Sequence, residues 1–505
     1  MSTKPSVKEN LISNSGTSKQ NQYRAYENQS HETVLFRFLP DFIFQLRWIL
    51  ISFLHKKLFR ILGLDFTVGG VLFLLLTVAA IPTAEYLIIA KQLPFKASTG
   101  WVNIFLLCMT ITFSSRNSIW AFLVGLSVER ALFWHKLFAL GFIVSSSTHA
   151  YSHINFVKDI TASGPMLWIS IVTTAFFALW FIRKRFFYYF YLLHILLVSA
   201  IFFNLYRHSS KWIIFCCSFW AVDLVLRGIF SLYCMYKGTG FTLKTSSNGK
   251  IIELASKKPV ISHLPGQFFF LTIPKISVIE PHPFTAASLP NQNLTFYIRS
   301  LGDWTKKLAK LAEKQSEITV IVNGPYGIPT VNIEDSSIKH LVLVAGGIGI
   351  TFLKPHLENL VDQVQRGRQL RSVTFLWSVR DSDILENIQF SDKVKEMIIQ
   401  SDKFRSSFSS ANKSDDTTSP KFVLNFHIFS KTDIEKSVKI DPIINQYVTR
   451  EPLDLDSFFN KIEKLGKIKK HTLKVLCCGP KKLINHCFDL SKAHGHDIHS
   501  EYFEF

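Results

Sequence analysis

Residues 129–153 read ERALFWHKLFALGFIVSSSTHAYSH, and residues 188–208 read YYFYLLHILLVSAIFFNLYRH. Each apolar stretch carries two histidines at the same interval: His135 and His149, then His194 and His208. In an α-helix that interval turns the chain through about 1400°, only about 40° short of four full turns. Both histidines of a pair therefore fall on one helical face, about 21 Å apart along the axis. If the two helices face each other, His135 meets His194 at one depth and His149 meets His208 at another. Two stacked haems, each held by two axial imidazoles, suit that arrangement. Ionisable groups inside a membrane are costly and normally face the bundle interior. His153, one turn beyond His149, is read as a histidine without a metal role.

The surrounding composition agrees with a membrane setting. Hydrophobic residues make up 48% of the 505-residue chain, with 46 Phe, and the excess lies before residue 236. A chain of this length is expected to hold about three domains. The net charge of +20 sits largely in loops between apolar segments, where it orients a membrane protein and does not indicate nucleic acid. None of the seven cysteines forms a C-x-x-C, so neither a disulfide framework nor a zinc or iron–sulfur site is indicated.

Residues 1–33 are polar and are expected to be a disordered tail without a signal peptide. Residues 42–62 are apolar but broken by Arg47, His55, Lys56, Lys57 and Arg60, the pattern of an interfacial amphipathic helix, with a seventh crossing as the alternative. Six spans are expected near 66–90, 100–115, 130–151, 164–182, 187–206 and 211–235, with a short apolar piece at 118–126. One side of these spans holds Lys56, Lys57, Arg60, Arg116, Arg130, Arg183, Lys184, Arg185 and Lys237; the other holds Lys91, Lys96, Lys158, Arg207 and Lys211. The richer side is cytosolic, so everything after residue 237 is expected in the cytosol.

Beyond Lys237 short alternating segments (FTLKTS, KIIELAS, QFFFLTI, LTFYIRS, EITVIVNG) are bounded by Pro, Gly and Asn, the signature of a small β-barrel. From about residue 338 strand and helix alternate, which indicates a doubly wound nucleotide domain. The expected domains are therefore 1–62 (tail and interfacial helix), 63–237 (transmembrane haem domain), 238–335 (flavin barrel) and 336–505 (nicotinamide domain). Within the last, 401–420 is low-complexity and expected to be a disordered insertion.

Five motifs carry the cytosolic chemistry. His282-Pro283-Phe284-Thr285 follows PGQF and precedes GPYG; it offers an aromatic wall and a hydroxyl for a flavin, and Arg299 can neutralise a diphosphate. Ala345-Gly346-Gly347-Ile348-Gly349-Ile350-Thr351 lies between a strand and a helix, where glycines admit a pyrophosphate to the helix N-terminus. Arg380 ends the next strand, where a basic residue can pair with a 2′-phosphate or simply face solvent. Cys478-Gly479-Pro480 follows LKVLCC, expected as the final strand of the chain, where a small residue leaves room for a nicotinamide; a buried core cysteine is the alternative. The terminal EYFEF supplies an aromatic that can stack on a flavin or fray.

Taken in order, paired transmembrane histidines, HPFT, GPYG, AGGIGIT, CGP and a terminal aromatic resemble the ferric reductase and NADPH oxidase superfamily over roughly residues 66–505. Arg116-Asn117 and GLSVERALFWHK resemble the ferric reductases; IRSLGDWTKKL and WSVRD resemble the oxidases as much. Among fungal members the chain is most similar to the short metalloreductase or endoplasmic-reticulum NADPH oxidase branch. The resemblance implies a six-helix haem bundle, a ferredoxin-reductase-type FAD barrel and an α/β NADPH domain. By position it gives His135 and His194 to an inner b-type haem, and His149 and His208 to an outer one. His282, Pro283, Phe284, Thr285 and Arg299 would hold FAD; Gly346, Gly347, Gly349, Thr351 and Arg380 would hold NADPH. Cys478 and Phe505 would act at the hydride-transfer site.

Two departures stand out. Phe352 replaces a frequent proline, and Lys96 is the nearest basic residue to the place where the oxidases carry an arginine near the outer haem. The implied acceptor is a ferric or cupric chelate, with molecular oxygen as the alternative. The implied location is a multi-pass position in the endoplasmic reticulum or plasma membrane, with the lipid bilayer as partner; a homo-oligomer is compatible. A histidine-based transporter and a non-catalytic haem conduit are the rival readings.

Overall fold

A computed structural model describes residues 57–61, 64–72, 75, 95–116, 120, 128–153, 162–208, 210–246, 249–290, 292–327, 333, 335, 337–380, 383–410, 422–430, 440–464 and 472–501. The expected tail at 1–33, nearly all of the short piece at 118–126 and most of the first span at 66–90 lie outside these residues. So does Phe505. The chain divides into two compact units, with the boundary between Phe230 and Ser231.

The first unit is helical. Five of the six expected apolar segments are helices: α1 Phe95–Ser114, α2 Val128–Ser152, α3 Ser163–Phe177, α4 Phe187–His208 and α5 Ser210–Lys237, whose last turns belong to the second unit. The fourth expected segment breaks after Phe177, and a separate short helix, Trp180–Arg185, carries the basic residues. Among the described residues two helices, Phe187–His208 and Ile214–Lys237, are long and apolar enough to cross a membrane; Gly100–Ser114 and Ser163–Phe177 are shorter apolar helices. Leu196, Phe203, Ile214, Val222 and Val225 point outward and are exposed. A continuous apolar exterior of this kind is costly in water and suits lipid. The inward faces meet in one apolar cluster built from Leu106, Ile111, Phe113, Phe138, Phe142, Ile171, Ile201 and Cys216.

Of the interfacial helix expected over 42–62, residues 42–56 and 62 lie outside the described residues, and the described part is not helical. Residues Lys57–Ile61 form a strand (β1) paired antiparallel with Leu64–Thr67 (β2), with Phe59 opposite Phe66 and Ile61 opposite Leu64. Gly63 interrupts the apolar run between them, and glycine at that spacing favours a turn over a continuing helix.

The second unit opens with seven antiparallel strands. β3 Gly240–Thr245, β4 Ile251–Ser256, β5 Phe268–Thr272, β6 His282–Thr285, β7 Thr295–Arg299, β8 Glu317–Thr319 and β9 Ile321–Tyr326 form a four-stranded sheet, β7-β4-β3-β8, and a three-stranded sheet, β6-β5-β9. Among the described residues the strands of the expected barrel pair as these two sheets. Their alternate residues Phe241, Leu243, Ile252, Leu254, Phe269, Leu271, Ile298 and Val322 share one core, as strands with one buried face must. Pro283 lies on the outer strand β6, where a missing N–H breaks no central ladder. The amphipathic helix α6, Asp303–Lys314, buries Trp304, Leu308 and Ala309.

The nicotinamide region is a six-stranded, wholly parallel sheet. β10 His340–Gly346, β11 Ser372–Val379, β12 Val423–Ser430, β13 Val448–Thr449, β14 Leu473–Cys478 and β15 Asp497–Glu501 take the order β13-β12-β11-β10-β14-β15. Leu341, Leu343 and Ala345 enter one core, while Val342 and Val344 enter the core on the opposite face. Both faces of β10 are buried, which is why its sequence is an unbroken apolar run. The helices α7 Ile350–Gln365 and α8 Asp392–Ser410 cover one face, and α9 Leu455–Lys464 with α10 Lys481–His494 cover the other.

The disordered insertion expected at 401–420 is helical up to Ser410, and 411–420 lie outside the described residues. Polar side chains tie this end of α8 to its neighbours. Ser401 Oγ accepts from Leu424 N at 2.9 Å, Arg405 donates to the Leu424 carbonyl at 3.2 Å, and Tyr447 donates to Asp402. A composition rich in Ser, Asp and Lys looks disordered only until such partners are available.

Candidate redox centres

The four histidines come together as two pairs. The rings of His135 and His194 have centroids 6.4 Å apart and planes at 78°; those of His149 and His208 are 6.3 Å apart at 89°. An imidazole nitrogen sits about 2 Å from a first-row metal, and the ring centre lies about 1.1 Å further on. Two rings on opposite sides of one metal are then separated by about 6.2 Å, close to the 6.4 and 6.3 Å at the two levels. Among the described residues no group of three metal-ligating side chains gathers. Two opposed imidazoles are the donor set of a metal whose other positions a macrocycle fills, so the residues present fit haem.

Neighbouring residues orient these rings. Nδ1 of His135 is 2.8 Å from the Thr110 carbonyl oxygen on α1. A carbonyl can only accept, so Nδ1 carries the proton and Nε2 keeps its lone pair for a metal. His194 Nδ1 is buried without a hydrogen-bond partner in the structure. A Cβ on Gly100 would lie 4.0 Å from the His149 ring, and one on Gly164 would lie 3.5 Å from the His208 ring. Thr110, Gly100 and Gly164 were not singled out in the sequence; each is remote from the histidine it serves. The His153 ring lies against that of His149, with centroids 4.5 Å apart and planes tilted by 37°, and its Nδ1 is 3.0 Å from the His149 carbonyl oxygen.

In the second unit the flavin motifs converge on the three-stranded sheet. Strand register sets Phe268 opposite Thr285, Phe269 opposite Phe284 and Leu271 opposite His282, while Phe268 faces Tyr326 on the other side. PGQF, HPFT and GPYG are therefore adjacent strands. Gln267 ties them further: its Oε1 accepts from Leu264 N at 2.8 Å and its Nε2 donates to the Gly327 carbonyl at 3.0 Å. Trp304, from α6, packs against the motif, with ring centroids 4.5 Å from His282 and 5.8 Å from Phe284. Nε2 of His282 and Nε1 of Trp304 are buried without a hydrogen-bond partner, polar atoms that a bound group would satisfy. Burial holds the His282 imidazole below the ordinary histidine range, against a smaller opposing pull from Glu280, so at neutral pH its ring is uncharged. Arg299 ends β7 in the other sheet.

The nucleotide motifs meet where the strand order switches. β10 has β11 on one side and β14 on the other, and ligands bind outside the carboxyl ends of the strands at such a point. Those ends carry Gly346 and Cys478. Their loops are in contact: a Cβ on Gly346 would lie 2.6 Å from Pro480 Cδ, and one on Gly349 would fall on the Cys478 carbonyl. Gly346 and Gly349 thus make room for the Cys478-Gly479-Pro480 segment, while a Cβ on Gly347 would meet nothing within 4 Å. Trp377, fully buried in β11, donates to the Gly347 carbonyl at 3.0 Å, and Thr351 Oγ1 donates to the Ile348 carbonyl at 3.0 Å. Cys478 is 1% exposed, held in the core at the strand end. Arg380 is exposed just past β11.

Where the flavin sheet meets the nucleotide helix, Gly266 at φ +82° abuts α7: a Cβ there would lie 2.5 Å from Phe352 and 2.6 Å from His356 Nε2. His356 is fully buried with neither ring nitrogen hydrogen-bonded in the structure, and burial, helped by nearby His499, lowers its pKa to about 3. Phe352 also packs on His356 and His499, with centroids 4.9 and 5.5 Å away.

Comparison with known proteins gives three matches in register with these regions. Residues 99–205 match the family described as ferric reductase like transmembrane component, residues 236–330 an FAD-binding domain, and residues 338–491 a ferric reductase NAD binding domain. Ferric reductase transmembrane component 5 of Saccharomyces cerevisiae is 25% identical over 307 residues, which cover 55% of this chain and 43% of that protein. NADPH oxidase 1 of Rattus norvegicus is 30% identical over 180 residues, covering 34% and 31%. Ferric reductase transmembrane component 1 of Schizosaccharomyces pombe is 22% identical over 352 residues, covering 58% and 61%. The matched part thus spans from under a third to about three fifths of these relatives' lengths.

Proposed function

Because this chain belongs to the ferric reductase and NADPH oxidase superfamily, we propose that it carries electrons from cytosolic NADPH through FAD and two b-type haems to a ferric or cupric chelate across the membrane. The observation that carries the proposal is the paired ring spacing of 6.4 and 6.3 Å. His135 and His194 hold one haem, and His149 and His208 the other. His282, Pro283, Phe284, Thr285 and Arg299 bind FAD. The loop around Gly347, with Thr351 and Arg380, receives NADPH, while Gly346 and Gly349 let the Cys478 segment close beside it. The flavin supplies the conversion between a two-electron donor and one-electron acceptors. In this chain Trp304 and Gln267 orient the flavin strands, and Thr110 fixes the protonation state of one haem ligand.

The basic loops support a cytosolic second unit and an acceptor on the opposite side. A second reading has molecular oxygen as acceptor, and the 30% identity to an NADPH oxidase favours giving it a test. Purified protein loaded with haem and FAD is reduced anaerobically with NADPH, then mixed with ferric chelate or oxygen. Much faster haem reoxidation by the chelate supports the metalloreductase; much faster reoxidation by oxygen, with superoxide trapped, supports the oxidase and rejects the chelate.

A further inference from the structure

The transmembrane unit contains a pair of thiols that the electron-transfer reading does not use. Cys108 on α1 and Cys216 on α5 are both buried, and their sulfur atoms are 3.0 Å apart. That lies inside the about 3.5–4.0 Å of ordinary contacts between carbon atoms, although sulfur is the larger atom. Closing to a disulfide needs a movement of only about 1 Å. The two residues come from helices far apart in sequence, so a bond between them would staple α1 to α5.

The place of the pair is specific. On α1, Gly100 lies beside His149 and Thr110 beside His135. Cys108 falls between them, about 3 Å along the axis from Thr110 and about 12 Å from Gly100. The thiols therefore sit between the two histidine levels, nearer the His135 level. Cys217, next in sequence to Cys216, is only partly buried.

We propose that Cys108 and Cys216 are a reversible oxidation site whose oxidant is a peroxide. Hydrogen peroxide is small and neutral, so it can enter an apolar bundle that excludes charged thiol reagents. One thiol is oxidised to a sulfenic acid as the peroxide O–O bond breaks and one water leaves. The second sulfur then attacks the first, the S–O bond breaks, and a second water carries off the remaining oxygen and thiol proton. The sum is two thiols plus hydrogen peroxide giving one disulfide and two waters. Re-reduction takes two electrons and two protons from a small neutral dithiol, which leaves as its own disulfide. The proposal rests on the helix contacts and is independent of which terminal acceptor the protein uses.

The test uses the full-length protein in detergent. Samples are reduced with a phosphine, freed of it, exposed or not to hydrogen peroxide, denatured in N-ethylmaleimide and digested for mass spectrometry. The expected result is a disulfide-linked peptide pair containing Cys108 and Cys216 after peroxide. It should be absent from the reduced sample, absent from Cys108→Ser and retained in Cys217→Ser. Recovery of both residues as maleimide adducts after peroxide would overturn the proposal. So would sulfinic or sulfonic products at either residue without a bond, or linkage to Cys217 instead.

Discussion

The His135 ring donates from Nδ1 to the Thr110 carbonyl at 2.8 Å, so a backbone group on one helix decides which nitrogen of a histidine on another is free to bind a metal. That contact ties α1 to α2, and the His135 ring lies 6.4 Å by centroid from that of His194. His149 and His208 repeat the geometry at the other level.

Each pair is expected to hold its haem independently. His135→Ala or His194→Ala should lower the bound haem from two per chain to one and remove the same spectral component. His149→Ala or His208→Ala should remove the other. Pyridine haemochrome quantification with redox titration reads this out; two haems retained in any of the four variants would reject that ligand.

Trp304 is expected to act through His282 and Phe284, which it contacts at 4.5 and 5.8 Å. Trp304→Ala should weaken FAD binding by about tenfold or more, equivalent to about 1.4 kcal/mol, with haem content unchanged. Flavin fluorescence on release gives the affinity. Trp304→Phe, which keeps an aromatic face, should recover most of it.

Gly266 is held at φ +82° against α7. Gly266→Ala forces Phe352 and His356 to move, and overpacking of this kind costs about 1–3 kcal/mol in addition to the unfavourable backbone conformation. The thermal midpoint of flavin release should fall. Combining Gly266→Ala with Phe352→Ala should recover part of the loss, since the Phe352 ring is the nearest obstacle.

The buried His356 makes stability depend on pH. Its pKa is about 3 in the fold and 6.5 in the unfolded chain. Between those values the unfolded state takes up a proton that the folded state refuses, so this residue's contribution to stability falls as pH drops from 6.5 toward 3. The slope is about 1.4 kcal/mol per pH unit for one proton. His356→Leu should flatten the decline between pH 6.5 and 5 in denaturation followed by flavin fluorescence; an unchanged slope would place the sensitivity elsewhere.

What could be read in the sequence is what repeats locally. The interval between His135 and His149 fixes a shared helical face, and the apolar run Leu341–Ala345 gives a strand buried on both sides before any partner is known. The order of PGQF, HPFT and GPYG marked three segments that the fold sets side by side in one sheet. What could not be read depends on pairings between distant residues. Thr110 is an ordinary residue of an apolar helix until His135 is packed against it. Trp304 lies in an amphipathic helix with no flavin signature, and Trp377 in a strand where an aromatic is unremarkable. Residues 401–410 look disordered by composition because their partners, Leu424 and Tyr447, come from segments on the far side of residues 411–420. The strand at Lys57–Ile61 was hidden by the helical look of a basic and apolar run.

The central claim is one continuous electron path from NADPH to the histidine-held haems. Anaerobic stopped-flow mixing of NADPH with protein loaded with FAD and haem, followed at the flavin and haem absorption bands, tests it most directly. Flavin bleaching followed by reduction of both haems is the expected result, with haem reduction lost in His135→Ala although the flavin still bleaches. NADPH consumption with the haems left oxidised in the unaltered protein would contradict it.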